Sequence, residues 1–202
     1  MIAIAIVIFV IDIIFTVYQN KKRNDVLDQL SRHLAKKEYK AFDELIDDPK
    51  TKKVIPPFNV AFLKLNKEIM KNDRKAVDEV FKGFTMRMNK AQKEAVYQKG
   101  FYYYLGLEDK KNTTVYYQLL QEVKPANLQM IDVMYDTYIL KGSKYIDLLT
   151  NEVQKTEKEE DKIPYYALLA DVCHNAGEEE KAAEYGQIVS DYTEKLKNEM
   201  KK

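Results

Sequence analysis

Apolar residues recur every three or four positions along most of the chain, and nowhere do they alternate. Leu27, Leu30 and Leu34 make one stripe; Phe58, Phe62, Leu65 and Ile69 make another. Val77, Val80, Phe81 and Phe84 form a third, and Val115, Leu119, Leu120 and Val123 a fourth. Ile131, Tyr135, Tyr138 and Ile139 precede Tyr145, Ile146, Leu149 and Val153. A period near 3.6 gathers such residues on one face of an α-helix, whereas a half-buried strand needs a period of two. The pattern predicts an all-α protein.

Polar turns cut these stripes at regular intervals. They read Lys36-Lys37-Glu38, Lys71-Asn72-Asp73, Asp109-Lys110-Lys111, Lys141-Gly142-Ser143 and Ala176-Gly177-Glu178, so their centres are 35, 38, 32 and 35 residues apart. Gly142 and Gly177 suit a helix end that needs positive φ. Pro57, Pro125 and Pro164 each stand before a helical pattern, where the first helical position tolerates a missing N–H. The reading is five antiparallel helix pairs, at about 22–50, 57–87, 90–124, 126–157 and 163–198. One pair alone cannot bury its apolar face, so the pairs are expected to stack as an α-solenoid.

The stretch IPYYALLADVCHNAGEEEKAAEYGQIV, from Ile163, resembles a tetratricopeptide repeat. Tyr166 stands where that family often has Trp, and Leu169, Ala170, Gly177 and Ala182 come after it at matching spacing, while Gly186 and Val189 depart from the pattern. The other four pairs share the period and few signature residues. The resemblance implies a superhelix whose concave face holds peptides or partner helices, and it implies no catalysis. Carried onto this chain, the pattern places Gln129, Asp132, Asp136, Asp171 and His174 on the inner face, with Gln98 and Tyr102 joining them from the third pair. Such a groove is acidic with one aromatic, and it favours a basic or amphipathic segment.

The chain opens differently. Ile2 to Val17 is apolar except for Asp12 and Thr16, and Lys21, Lys22 and Arg23 stand just beyond it. No basic residue precedes the run and no small-residue cleavage site succeeds it, which argues against a cleaved signal. As a helix, residues 1–18 would be roughly 27 Å long, just enough for a bilayer core. Asp12 costs about 2.5–3.5 kcal/mol at mid-membrane, against roughly 4–7 kcal/mol from the Ile, Val and Phe around it. Asp12 is either an off-centre carboxyl that draws in water or a polar contact for a partner's membrane helix. Tyr18 would lie at headgroup level. The flanking Lys21, Lys22 and Arg23 place the rest of the chain in the cytoplasm. Residues 1–19 are thus expected to be a single-pass anchor and residues 20–202 a cytoplasmic helical-repeat domain.

Charge refines this picture. The formal net charge is +1, yet residues 20–99 are basic and residues 100–202 acidic. The basic half either lies against an anionic leaflet or is an ordinary solvated surface. Basic and acidic residues are interspersed without a nucleic-acid-binding motif, so no nucleic-acid partner is expected. Abundant Lys, Ile, Tyr and Asn suit an AT-rich bacterial genome.

Candidate chemistry is sparse. No phosphate loop, dinucleotide fingerprint, nucleophile elbow or zinc motif occurs in the sequence. Cys173 and His174 are adjacent, but neighbouring helical side chains diverge by about 100°, so a buried Cys beside a surface His is expected. His33 lies in a different pair. No cofactor, metal or small-molecule substrate is anticipated. The runs Glu157-Glu159-Glu160-Asp161 and Glu178-Glu179-Glu180 read as solvated, the second also favouring a helix N-terminus. Phe101-Tyr102-Tyr103-Tyr104 points in several directions, so one ring should reach a groove. The expected function is a membrane-anchored scaffold that docks protein or peptide partners. The alternative is a constitutive subunit of a bacterial secretion, transport or envelope assembly.

Overall fold

The structure, a computed structural model, describes residues 20–84 and 87–200, and every regular element among them is helical. The protein is all-α. The expected anchor, with Asp12 and Tyr18, lies outside the described residues; among those described, no helix is long and apolar enough to cross a membrane. Two compact units are formed, one ending at Val96 and one beginning at Tyr97.

The first unit holds α1 (20–35), α2 (Tyr39–Asp47), α3 (Pro49–Val54), α4 (Pro57–Lys71) and α5 (Arg74–Lys82). Leu30, Leu34, Phe42, Ile46 and Ile55 form its core. Lys21 and Lys22 are exposed on α1, with Arg23 half-buried. The second helix of the first expected pair is broken in two at Asp48-Pro49. Pro49 begins α3, and Asp48 caps it by accepting a 2.7 Å bond from the Lys50 N–H. Pro57 does occupy the start of α4.

Helix α6 (Lys90–Gly106) opens on a reciprocal pair in which the Asn89 and Gln92 side chains each accept from the other's backbone N–H. The second unit continues with α7 (Lys110–Val123), α8 (Leu128–Tyr135), a π-helical turn (Asp136–Leu140), α9 (Ile146–Lys155), α10 (Glu159–Asn175) and α11 (Glu179–Glu199). Phe101, Leu120 and Ile131 form one core cluster, and Val133, Leu149, Leu168, Leu169 and Val172 another.

One turn recurs in both units. Lys37, Asn72, Glu108 and Gly177 adopt positive φ just past a helix. Each donates its N–H to the carbonyl three residues back, and the next residue donates to the carbonyl five back, as in Glu38 to His33 and Asp73 to Glu68. This closure satisfies carbonyls that the helix end leaves open. That next residue, Glu38, Asp73, Asp109 or Glu178, then starts the succeeding helix. Asp73 and Asp109 also cap it, accepting from the Ala76 and Asn112 N–H groups.

Several expectations need correction. The third turn sits at Leu107–Asp109, and Lys110 and Lys111 already belong to α7, because Asp109 is the capping acid. At the fourth turn the positive φ falls on Lys141, not Gly142. Gly142 is needed for space instead: a Cβ there would meet the Asp136 carboxylate at 2.5 Å. Pro125 lies in a turn before the cap residue Asn127. Pro164 is inside α10, which begins at Glu159. Glu159, Glu160 and Asp161 fill that first turn and favour its positive end. Glu160, whose carbonyl loses a partner to Pro164, is exposed. Val115, expected in a buried stripe, is 46% exposed.

Candidate functional site

The second unit contains a cavity of about 630 Å³ between α6, the start of α7, α8 and the π-turn. Tyr102, Leu105, Met134, Tyr138 and Ile139 give it an apolar lining, with Glu108, Lys110 and Lys141 among them. A second cavity, of about 400 Å³, shares Met134 and Tyr138 and continues along Met130, Tyr165, Leu168 and Asp161 of α8 and α10. The two adjoin at Met134 and Tyr138, and the groove they form is lined chiefly by α6, α8, the π-turn and α10.

The π-turn supplies Tyr138 to both cavities. Beyond Tyr135 the helix widens, so Lys141 donates to the Asp136 carbonyl five back and Gly142 to the same oxygen six back. The Asn175 amide, from α10, donates to the Thr137 carbonyl at 2.9 Å and the Gly142 carbonyl at 3.1 Å. Thr137 is fully buried and donates its hydroxyl to Val133 O. Tyr138 is then held to α10 by a 2.7 Å bond from its hydroxyl to Asp171 Oδ2. Burial, and then that bond to an anion, push the Tyr138 phenol well above its ordinary value. It stays a neutral donor at physiological pH.

Of the residues expected in the groove, Tyr102 lines the cavity, 39% exposed and edge-on to buried Phe101. Asp171 reaches it through Tyr138. Asp132 faces α7, where it accepts from the Tyr117 hydroxyl at 3.0 Å and Gln121 Nε2 at 2.6 Å. Burial and that carboxylate push the Tyr117 phenol up to about 12, while its ring stacks on Tyr135 at 3.8 Å. Asp136 folds back to its own turn and accepts from the Lys144 N–H at 3.3 Å. Gln98 bonds Asn127, and Gln129 is exposed. His174 is exposed and pairs with Glu179 at 3.1 Å. Asp132 and Asp136 are therefore one turn apart in sequence yet serve different neighbours.

Periodicity alone does not single out Leu105, Met134, Tyr138, Ile139 or Asn175 as site residues; it places Tyr138 and Ile139 in a core stripe. The accessible signal is that Tyr102, Leu105, Met134 and Tyr138 sit on first helices of successive pairs.

Cys173 is fully buried, and burial pushes its thiol up, so it is protonated at neutral pH. Among the described residues no three His, Cys or carboxylate side chains converge as metal ligands. Comparison with protein-family models, with curated proteins and with solved structures yields no match.

Proposed function

We propose that the chain is a membrane-tethered docking module, resembling tetratricopeptide proteins, in which stacked hairpins form an α-solenoid that binds a partner protein or peptide. Residues 1–19 anchor it and the remainder faces the cytoplasm. The observation that carries this reading is the groove: apolar, open, and lined by residues of α6, α8, the π-turn and α10. The recurrent turn closure at Lys37, Asn72, Glu108 and Gly177 supports a repeated unit. The module acts by binding rather than by turnover. The protonated, buried Cys173 and the Glu179-paired His174 support that, because neither is placed as a nucleophile or base. Tethering concentrates the module near partners that share the membrane.

The test is a photo-crosslinking amino acid at Tyr102, activated in native membranes. A discrete protein adduct is expected, and protease added outside spheroplasts should spare the domain. Adducts with lipid alone would overturn groove docking, and external digestion would overturn the orientation. Adducts formed only from positions in the anchor would move the assignment to a constitutive subunit of a membrane assembly.

A further inference from the structure

We propose that the groove takes an amphipathic helical segment of a partner protein, apolar along one face, acidic at one end and basic at the other. This rests on the docking reading and specifies the occupant.

The apolar lining argues for a helix. Met130 and Met134 are one turn apart on α8, and Tyr138 of the π-turn lines the second cavity beside them. Residues one turn apart form a ridge that packs into the grooves of another helix. Two methionines in it can adapt to a partner's apolar side chains.

The ends argue for opposite charges. Lys110 and Lys141 stand at the first cavity, with Glu108 as the one acidic residue among its lining. Lys155 and Lys162 pair with glutamates one turn away, but no ion pair holds Lys110 or Lys141 among the described residues. Lys110 also opens α7, whose N-terminus adds positive potential. At the second cavity the charged lining residue is Asp161, preceded in the chain by exposed Glu159 and Glu160. Glu159 is engaged by Lys162. Asp171, exposed, stands beside the shared Tyr138. A partner with both charges in separate blocks meets an opposite charge at each end.

The probe is a fluorescein-labelled peptide of about 18 residues, roughly five helical turns, with a Leu/Met stripe, a Glu block at one end and a Lys block at the other. The comparison peptide has the same stripe and composition with Glu and Lys interleaved. Anisotropy is measured with the full chain in neutral-lipid nanodiscs, with empty nanodiscs as blank. The blocked peptide should bind about tenfold tighter at low salt, and the preference should shrink at high salt. Lys110→Glu with Lys141→Glu should remove the preference while leaving the circular-dichroism melt unchanged. Tyr102→Ala should weaken both peptides.

Equal affinity for the two peptides, weakened alike by Tyr102→Ala, would overturn the charge-polarised occupant and leave groove docking standing. Absence of saturable binding to either would overturn the proposal, and the Tyr102 crosslink would then decide docking separately. A stable dimer that the blocked peptide does not dissociate, but that Tyr102→Ala does, would overturn it in favour of a second copy of this chain.

Discussion

Gly100 and Gly177 are glycines for opposite reasons, and substitution should reveal which. Gly177 has φ +76° with open space around it, so a side chain there meets strain and no clash. Gly177→Val should cost about 1 kcal/mol or more from the disfavoured backbone alone. Gly100 has ordinary helical φ, but a Cβ would lie 2.5 Å from the Tyr116 ring. Alanine gains about 1 kcal/mol of helix propensity over glycine, while overpacking costs typically about 1–3 kcal/mol. The clash should win, because Tyr116 is stacked on Tyr104 at 5.5 Å and cannot swing freely. Gly100→Ala should therefore lower the melting temperature, and Gly177→Ala should lower it with no repacking of tyrosines. Near-ultraviolet circular dichroism separates the two: it should change for Gly100→Ala and stay fixed for Gly177→Ala. A stabilised Gly100→Ala would mean that Tyr116 moves aside cheaply.

Among the elements, the π-turn explains both what the sequence disclosed and what it hid. The turn period was readable because every closure has a positive-φ residue, and at four of them the residue after it starts the next helix. Besides Lys124, which ends α7, the positive-φ residues are Lys37, Asn72, Glu108, Lys141 and Gly177, spaced 35, 36, 33 and 36 apart. Only the last is glycine, so a rule that seeks glycine selects Gly142 over Lys141. The π-turn also defeats the same-face argument for Asp132 and Asp136. Asp132 still faces α7, but Asp136 opens the widened turn and folds onto Gly142 and Lys144. Tyr102 was legible for a simpler reason: four consecutive aromatics cannot all be buried on one helix face, and Phe101 and Tyr104 take the core. Asn175 was not legible, since its two carbonyl partners lie more than thirty residues earlier. Its loss leaves the carbonyls of Thr137 and Gly142 without that donor. Asn175→Ala should cost about 1–3 kcal/mol, seen as a lower urea midpoint. Hydrogen exchange should quicken most around residues 137–142. A uniform loss of protection across α6 to α11 would instead make Asn175 a general core contact.

On the scale of the whole molecule, the basic first unit contains the more pH-sensitive machinery. Lys67 and Glu68 of α4 have side chains each 10% exposed, and Lys67 bridges Asp43 and Glu68 at 2.7 Å. Lys71 reaches Glu68 at 2.9 Å. Burial works to raise the Glu68 carboxyl, but the bonds from Lys67 and Lys71 prevail and hold it below the ordinary glutamate value. Burial likewise works to lower Lys67, and Asp43 and Glu68 prevail and raise it. Asp47 is lowered by its bonds to Lys64 and Lys52, but it is half exposed and solvent screens its contribution. The depressed Glu68 stabilises the fold above the unfolded-state value near 4.5, and that stability is lost as pH falls through the lower folded value. The raised Lys67 contributes below its unfolded value near 10.5 and is lost as pH rises through the folded one. Unit 1 should therefore lose hydrogen-exchange protection, corrected for intrinsic rates, in α2 and α4 on acidification below about pH 4.5. Glu68→Gln should lower protection there at pH 7 and flatten the acid dependence, because the neutral amide keeps the volume but not the titrating charge. In the second unit α10 serves as the internal comparison, because its pairs Lys162–Glu159 and His174–Glu179 involve exposed glutamates that solvent screens. An unchanged acid profile in Glu68→Gln would assign the sensitivity to Asp47 and its partners Lys52 and Lys64. High salt would then reduce it, as it should not for the buried Lys67–Glu68 pair.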